Sequence, residues 1–282
     1  MLLMALFVAL WAAVEELAAG ALQRYSPYQV VWTRYVVHVL FMVAVWGWRE
    51  PASLWKTGRP VFQVLRSMLM LGMPASWIIA MQLGVGGGTL MSVFWMSPLL
   101  ILAFAKLFLG ERATWLLWIA ALVACAGAWL LTGPSLPASL SLLFFPIGMA
   151  VTFSLYVVMT RSLRSETPRA NLFHSAFWVA LLLTPAMPTL WITPAPQDLL
   201  AMIGVGLLGF AALFALDRMA AAAPVSVSAP ASYLQLVFSI AIAWLFGHGH
   251  GGQWTAMGAL LISGAVLFVW AHKPGLLLRN SA

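Results

Sequence analysis

Charge is scarce in this sequence. Only 7% of its 282 residues are Asp, Glu, Lys or Arg, and just seven are acids, against about 25% charged residues in ordinary soluble domains. With 63% hydrophobic residues and a mean hydropathy of +0.97, that shortage excludes a water-soluble globular domain and identifies a polytopic membrane protein. Cysteine is rarer still. Cys125 stands alone inside the apolar run WIAALVACAGAWLL, which excludes a disulfide framework and a cysteine-built metal site. The lack of acids leaves a net charge of +7. The 14 basic residues are nevertheless scattered singly between apolar runs, so they form no nucleic-acid-binding patch and serve as topology signals. No basic segment precedes the apolar N-terminus, and acids occupy the zone where cleavage would fall, so that segment is expected to be a helix and not a cleaved signal peptide.

Apolar runs are abundant. A helix needs ~20 residues to cross ~30 Å of hydrocarbon, and runs of that order fall at 2–22, 28–48, 60–82, 88–109, 113–132, 140–160, 170–190, 198–216, 223–246 and 253–271. Breaks such as Ser26-Pro27, Arg59-Pro60, Gly86 to Gly88, Gly133-Pro134, Thr167-Pro168 and Thr193-Pro194 punctuate them. The pattern predicts an all-α membrane protein of ten transmembrane helices, with no linker long enough to divide soluble domains. Breaks after the even-numbered helices and the C-terminus carry Arg49, Lys56, Arg59, Lys106, Arg112, Arg161, Arg164, Arg169, Arg218, Lys273 and Arg279, whereas the odd-numbered breaks hold only Arg24. Both termini are therefore expected in the cytoplasm.

The chain also repeats weakly. At a shift of 137 residues, Gly110 falls on Gly247, Gly127 and Ala128 on Gly264 and Ala265, Arg24 on Arg161, and LFLG on WLFG. Five helices is an odd number, so the second copy must enter the membrane from the opposite side. The expected organisation is two five-helix inverted repeats, residues 1–137 and 138–282, with a substrate site near the midplane between them.

SPLLILAFAKLFLGER at 97–112, with Pro98 thirteen residues before Glu111, resembles the fourth-helix signature of EamA-type transporters of the drug/metabolite superfamily. APVSVSAPASYLQLVFSIAIAWLFG with WTAMGALLISGAVL, spanning 223–267, is similar to the ninth and tenth helices of that family, above all in its S-adenosylmethionine-uptake branch. QVVWTRYVVH at 29–38 and LRS at 65–67 resemble helices 2 and 3. Two positions depart from the family: His248 stands where an acid often follows the second-half glycine, and Ala18 to Gly20 occupy the place of an intramembrane lysine. The resemblance implies a bacterial inner-membrane transporter, without cofactor or metal.

Two acids in an apolar helix require a reason. Glu15 and Glu16 fall roughly two-thirds of the way across helix 1, and Arg34 about 9 Å inside helix 2 from the same surface, with His38 one turn deeper. Ionisable groups at such depth are costly unless paired or hydrated. Either one acid only neutralises Arg34, or the second is a proton or cation site with His38 as relay. Adjacent helical residues point about 100° apart, so one acid is the partner and one the spare; Glu15 is expected to pair with Arg34 and Glu16 to be spare. Arg66 is expected to snorkel to the inner headgroups or supply a counter-charge in the cavity. Asn171, which the shift places on Arg34, and His174 are candidates for an inner-gate cluster, and Asp217 with Arg218 for an interfacial pair. Among the aromatics, Trp77, Trp95, Tyr156, Trp178 and Tyr233, together with Met96, are candidate cavity walls suited to organic cations or flat heterocycles. Pro98, Pro224 and Pro230 mark expected hinges.

Other motifs carry no chemistry. Gly204, Gly206 and Gly209 satisfy GxGxxG, but no strand precedes them, so close helix packing is expected and not nucleotide binding. His248 and His250 make a poor metal site with two ligands in a loop, and Ser263 has no nucleophile-base partner set. The expected function is secondary transport of a small amphipathic organic metabolite, cationic or zwitterionic, by alternating access, with a proton as the coupling ion where coupling exists. The alternatives are an uncoupled permease and a lipid-carrier flippase; an enzyme is not expected. Expected partners are the substrate, the lipid bilayer and protons, with no nucleic acid, in a monomer or homodimer.

Overall fold

The computed structural model describes residues 1–133, 139–247 and 252–272. Pro134, His248, His250, Lys273 and Arg279 lie outside the described residues. Among the described residues there is no strand, and ten helices are long and apolar enough to cross a membrane. These are α1 (Leu2–Leu22), α2 (Pro27–Gly47), α3 (Pro60–Gln82), α4 (Gly87–Leu109), α5 (Trp115–Thr132), α6 (Leu140–Ser162), α7 (Pro168–Leu190), α8 (Pro196–Ala222), α9 (Val225–Leu245) and α10 (Gln253–Ala271). Local chemistry sets their ends. Proline opens α2, α3, α7 and α8, where its missing N–H costs nothing. Gly110 and Gly247 follow α4 and α9 with φ of 67° and 76°, the left-handed conformation that glycine adopts without a Cβ penalty. These are corresponding positions under the 137-residue shift.

The chief departure from the expected boundaries is α8, which continues past residue 216 to Ala222. Asp217 does not end the helix at the interface. It turns inward and is buried, so the helix carries it past the expected stop, and the last-turn carbonyls of Ala220 and Ala221 accept from Arg161 Nη1.

α4 and α9 are both interrupted. In α4 the helix breaks at Trp95 and Met96. Pro98 has no N–H to give the Phe94 carbonyl four residues back, and that carbonyl accepts the Ser97 hydroxyl instead. Ser97's own carbonyl accepts from Ser154 Oγ of α6 at 3.0 Å. In α9 a 3₁₀ stretch, Ala229–Tyr233, separates two α-helical pieces around Pro230.

Packing follows a regular scheme. α1 lies on α8 and α9; α6 lies on α3 and α4; α2 meets α7 and α8; α3 meets α7; α5 meets α10. Advancing every helix by five converts this set of pairs into itself. Glycine allows the tightest approaches. A Cβ on Gly127 would sit 2.8 Å from the Gly258 carbonyl oxygen, and one on Gly206 would sit 2.6 Å from Val37 Cβ. Gly264, the shift partner of Gly127, meets nothing within 4 Å, so that sequence match marks no shared contact.

One face of the bundle gathers the basic residues. Where α2 ends and α3 begins, Glu50 pairs with Arg169 and the Gly58 N–H donates to Glu166 Oε1 at 3.1 Å. On the same face Glu111 accepts from the Val225 and Ser226 N–H groups at 3.2 and 2.9 Å and meets Arg161 Nε at 3.4 Å. The opposite face is tied by Arg24 to Asp198 at 2.9 Å, by Tyr25 Oη to Asp198 at 2.8 Å, and by Gln29 to the backbone of Ile192.

Candidate functional site

A cavity of about 320 Å³ opens among α1, α2, α3, α4, α6 and α8. Its α1 wall is a single helical stripe, Trp11, Val14, Glu15, Ala18, Ala19 and Leu22, whose spacing of three and four residues keeps one face. α2 contributes Val30, Val31 and Arg34, and α3 contributes Met70, Met73, Pro74 and Trp77. Met91, Met149 and Val205 close it. Apart from Trp11 and Met70, which lie at the middle of α1 and α3, these positions fall in the half of each helix remote from the basic face. The cavity therefore belongs to the opposite face, beside the α1–α2 turn.

The wall is apolar apart from one acid and one base. Glu15 Oε1 accepts from Gln235 Nε2 of α9 at 2.8 Å, so its carboxyl group lines the cavity while its hydrogen bond reaches across to the second half of the chain. Arg34 Nη2 donates to Tyr35 Oη at 2.5 Å, and its guanidinium lies over the rings of Tyr35 at 4.4 Å and Trp11 at 5.1 Å. The expected Glu15–Arg34 ion pair is thus replaced. Glu15 is held by a neutral amide and Arg34 by aromatic faces, which leaves both groups in the cavity wall. Pro74 lacks an N–H, so the Met70 carbonyl loses its helical donor beside the same space.

Glycines of α8 position Arg34. A Cβ on Gly209 would lie 3.3 Å from Arg34 Cδ, and one on Gly206 would lie 3.1 Å from the Arg34 carbonyl oxygen. The GxGxxG run is therefore a packing surface, and what it packs is the stem of the cavity arginine.

Of the thirteen site residues expected from sequence, the structure brings Glu15, Arg34 and Trp77 into the lining. Glu16, half-buried on the next face of α1, does not line it. His38 is buried with its ring edge on Phe210 at 5.0 Å and its Nε2 without a hydrogen-bond partner. Trp95 and Tyr233 are buried against each other, ring centroids 5.9 Å apart, at the two helix breaks, and Met96 is exposed. Trp11, Gln235 and the four methionines were missed. Their signal was spacing on the Glu15, Arg34 and Trp77 faces, unreadable until the rotation of each helix was known.

A second polar assembly lies between the cavity and the basic face. Arg66 does not snorkel; it is 1% exposed. Its guanidinium donates to Thr160 Oγ1 at 3.1 Å, Gln63 Oε1 at 2.9 Å and the Asn171 carbonyl at 2.5 Å, and lies over Tyr156 at 5.3 Å. The Asn171 side chain links this arginine to an acid. Its Oδ1 accepts from Gln63 Nε2 at 2.7 Å and its Nδ2 donates to Asp217 Oδ1 at 2.9 Å. Asp217 is therefore the buried end of this network and not a surface partner of Arg218, which is exposed. His174 closes the edge, Nε2 against the Trp55 carbonyl at 3.2 Å and Nδ1 accepting from Trp178 Nε1 at 3.0 Å. The network ties α3, α6, α7 and α8 together between the cavity and the basic face.

Comparison with known proteins bears on the family and the fold. Residues 1–133, which contain α1 to α5, match the EamA-like transporter family. An S-adenosylmethionine uptake transporter of Rickettsia bellii is 27% identical over 216 residues, covering 76% of this chain and 74% of that protein. A riboflavin transporter of Vibrio cholerae is 26% identical over 214 residues, covering 73% and 70%. One crystal structure superposes with a TM-score of 0.82 over 100% of this chain and 98% of its own, at 20% identity, and so shares the fold.

Proposed function

We propose that this chain, a membrane protein whose residues 1–133 match the EamA-like transporter family, is a transporter of that type and moves a small organic cation or zwitterion by alternating access of two inverted five-helix repeats. The observation that carries this reading is a cavity with Glu15 and Arg34 in its wall, set toward one face, with the hydrogen-bonded Arg66–Asn171–Asp217 network between it and the other. Its volume is at the lower end of the range for small-molecule pockets, ~300 to 1,000 Å³.

Chemistry selects the substrate class. A carboxylate and a guanidinium in one apolar wall suit a molecule carrying both charges, because each protein charge then trades water for a counter-ion. Trp11 and Trp77 offer ring faces for a cation or a flat heterocycle, and methionine thioethers adapt to irregular aromatic edges. Relatives named for S-adenosylmethionine and riboflavin carry heteroaromatic cargo, which supports the same class here.

The gathering of the loop cations, Arg24 apart, on the face remote from the cavity supports cytoplasmic termini, and the cavity then faces outward. The packing scheme that maps onto itself under a five-helix step, the glycine caps after α4 and α9, and the breaks in those same helices support the repeats, residues 1–137 and 138–282. Closure over the substrate and parting of the Arg66–Asn171–Asp217 network would complete the cycle. Glu15 is the acid available for proton coupling.

Thermal-shift screening of the purified protein against nucleosides, amino acids and quaternary amines tests the reading, since a selective ligand stabilises by mass action. A zwitterion with an aromatic ring is expected to stabilise most, and to lose that effect in Glu15→Gln or Arg34→Gln. Stabilisation by neutral alkyl compounds alone, unaffected by either substitution, would overturn it.

A further inference from the structure

Beyond the transport site, the basic face holds a separate pocket of about 340 Å³ at the ends of α3, α4 and α6, lined by Arg59, Arg164, Ser162, Ser165, Phe108 and Leu109. We propose that this pocket binds the phosphate headgroup of an anionic phospholipid of the adjacent leaflet.

Its position, charge and surface argue together. Arg59 precedes the first residue of α3, and Arg164 follows the last residue of α6, so both guanidiniums sit at headgroup depth. Leu107 and Phe108, in the last turn of α4, are 71% and 61% exposed; on a membrane-spanning helix such a face meets acyl chains. The pocket thus joins an apolar wall to two cations, the two chemistries of one phospholipid. Free inorganic phosphate has use only for the second.

The local acids are already engaged. Glu166 accepts from the Gly58 N–H, Glu111 holds Arg161 and the Val225 and Ser226 N–H groups, and Glu50 pairs with Arg169. Neither Arg59 nor Arg164 belongs to an ion pair among the described residues; Arg59 Nη1 donates only to the Ser162 carbonyl, at 3.5 Å. Lys106 and Arg112 are exposed nearby and add to the positive potential. Two guanidiniums without carboxylate partners, on different helices around one pocket, can each give hydrogen bonds to phosphate oxygens. A phosphate spanning them ties the start of α3 to the end of α6, on the face beyond the Arg66 network.

The test uses full-length protein in neutral-detergent micelles, with phosphatidylglycerol as probe and phosphatidylcholine of the same chains as reference. Phosphatidylglycerol is expected to raise Tm, and native mass spectrometry to retain it on the protein. Arg59→Gln with Arg164→Gln should weaken that binding about 30-fold, the equivalent of about 1 kcal/mol for each arginine near an anionic surface. R49Q with K56Q, on the same face but outside the pocket, should leave it unchanged. Arg164→Gln alone, which preserves the Arg59–Ser162 contact, should weaken it about fivefold and stands in if the double variant does not fold. The proposal is overturned if phosphatidylcholine stabilises equally, if R164Q binds phosphatidylglycerol as the parent does, or if inorganic phosphate alone reproduces the shift.

Discussion

Replacing Arg66 by Gln is the sharpest perturbation of the side remote from the cavity. The guanidinium makes three hydrogen bonds, to Thr160, Gln63 and the Asn171 carbonyl. Side-chain hydrogen bonds between membrane helices are each worth ~0.6 kcal/mol on average and ~1.7 kcal/mol at most, so their loss amounts to about 2 to 5 kcal/mol. A further cost arises at Asp217. Its carboxylate is 5% exposed and receives its hydrogen bond from Asn171, the same residue that receives Arg66, and removing the cation leaves that charge uncompensated. Asp217→Asn alone keeps an acceptor for Asn171 Nδ2 but leaves the buried Arg66 cation without that counter-charge, so it should cost about 1 to 2 kcal/mol. In the double variant the orphaned charge is gone, so the pair should recover about 1 to 2 kcal/mol relative to the sum of the single changes. SDS-titrated unfolding in mixed micelles gives the four stabilities. Additivity within ~0.5 kcal/mol would refute the reasoning that Asn171 joins the two charges in one network.

Glu15→Gln should leave stability within about 1 kcal/mol of the parent, because the new amide can still accept from Gln235, while transport in proteoliposomes loses its dependence on a pH gradient; unchanged dependence would favour an uncoupled permease. Gly206→Ala should destabilise by about 1 to 3 kcal/mol, as expected when extra bulk is forced between packed helices, since its Cβ would stand 2.6 Å from Val37 Cβ; denaturation midpoints check this. Gly209→Ala meets only the flexible stem of Arg34 at 3.3 Å, so it should fold normally yet weaken a carboxylate-bearing ligand more than its amide analogue, as titration calorimetry would reveal. Glu111→Gln keeps acceptors for the Val225 and Ser226 N–H groups but loses the charge facing Arg161, and is expected to cost about 1 kcal/mol in the same unfolding assay.

The ten helices were legible because the membrane imposes one rule on every span: about 20 apolar residues with all backbone groups satisfied internally. Punctuation by Pro27, Pro60 and Pro168 placed several starts within two residues. Rotation about each helix axis was not legible. In α1, Glu15 and Glu16 are equivalent in composition and depth, and only packing against α8 and α9 turns Glu15 toward Gln235 and the cavity. The same ignorance put Trp95 and Tyr233 in the expected lining, whereas they pack against each other, rings tilted, at the helix breaks. Arg66 was misplaced for a different reason. Its depth suggested snorkelling, but Gln63, Thr160 and Asn171 supply enough acceptors to keep the charge inside, and those partners lie up to 105 residues away along the chain. A local window contains Gln63 alone of the three.

The shift that places Asn171 on Arg34 gives the two polar assemblies a common logic. Under the proposed inverted repeat, these residues occupy equivalent positions at opposite depths: Arg34 lies in the open cavity and Asn171 in the closed network. Exchanging the conformations of the two repeats would open the space around Asn171 and enclose Arg34. Asn171 is neutral and already bridges Gln63 and Asp217, so exposing it to water exchanges hydrogen bonds of similar worth. Enclosing Arg34 is different, because a guanidinium without a counter-charge is expensive to bury. A substrate carboxylate removes that penalty. Under the proposed alternating access, the asymmetry between these two repeat-related positions would make return to the opposite face costly for an empty cavity and easier for a loaded one, which is the energetic condition for coupling movement to cargo.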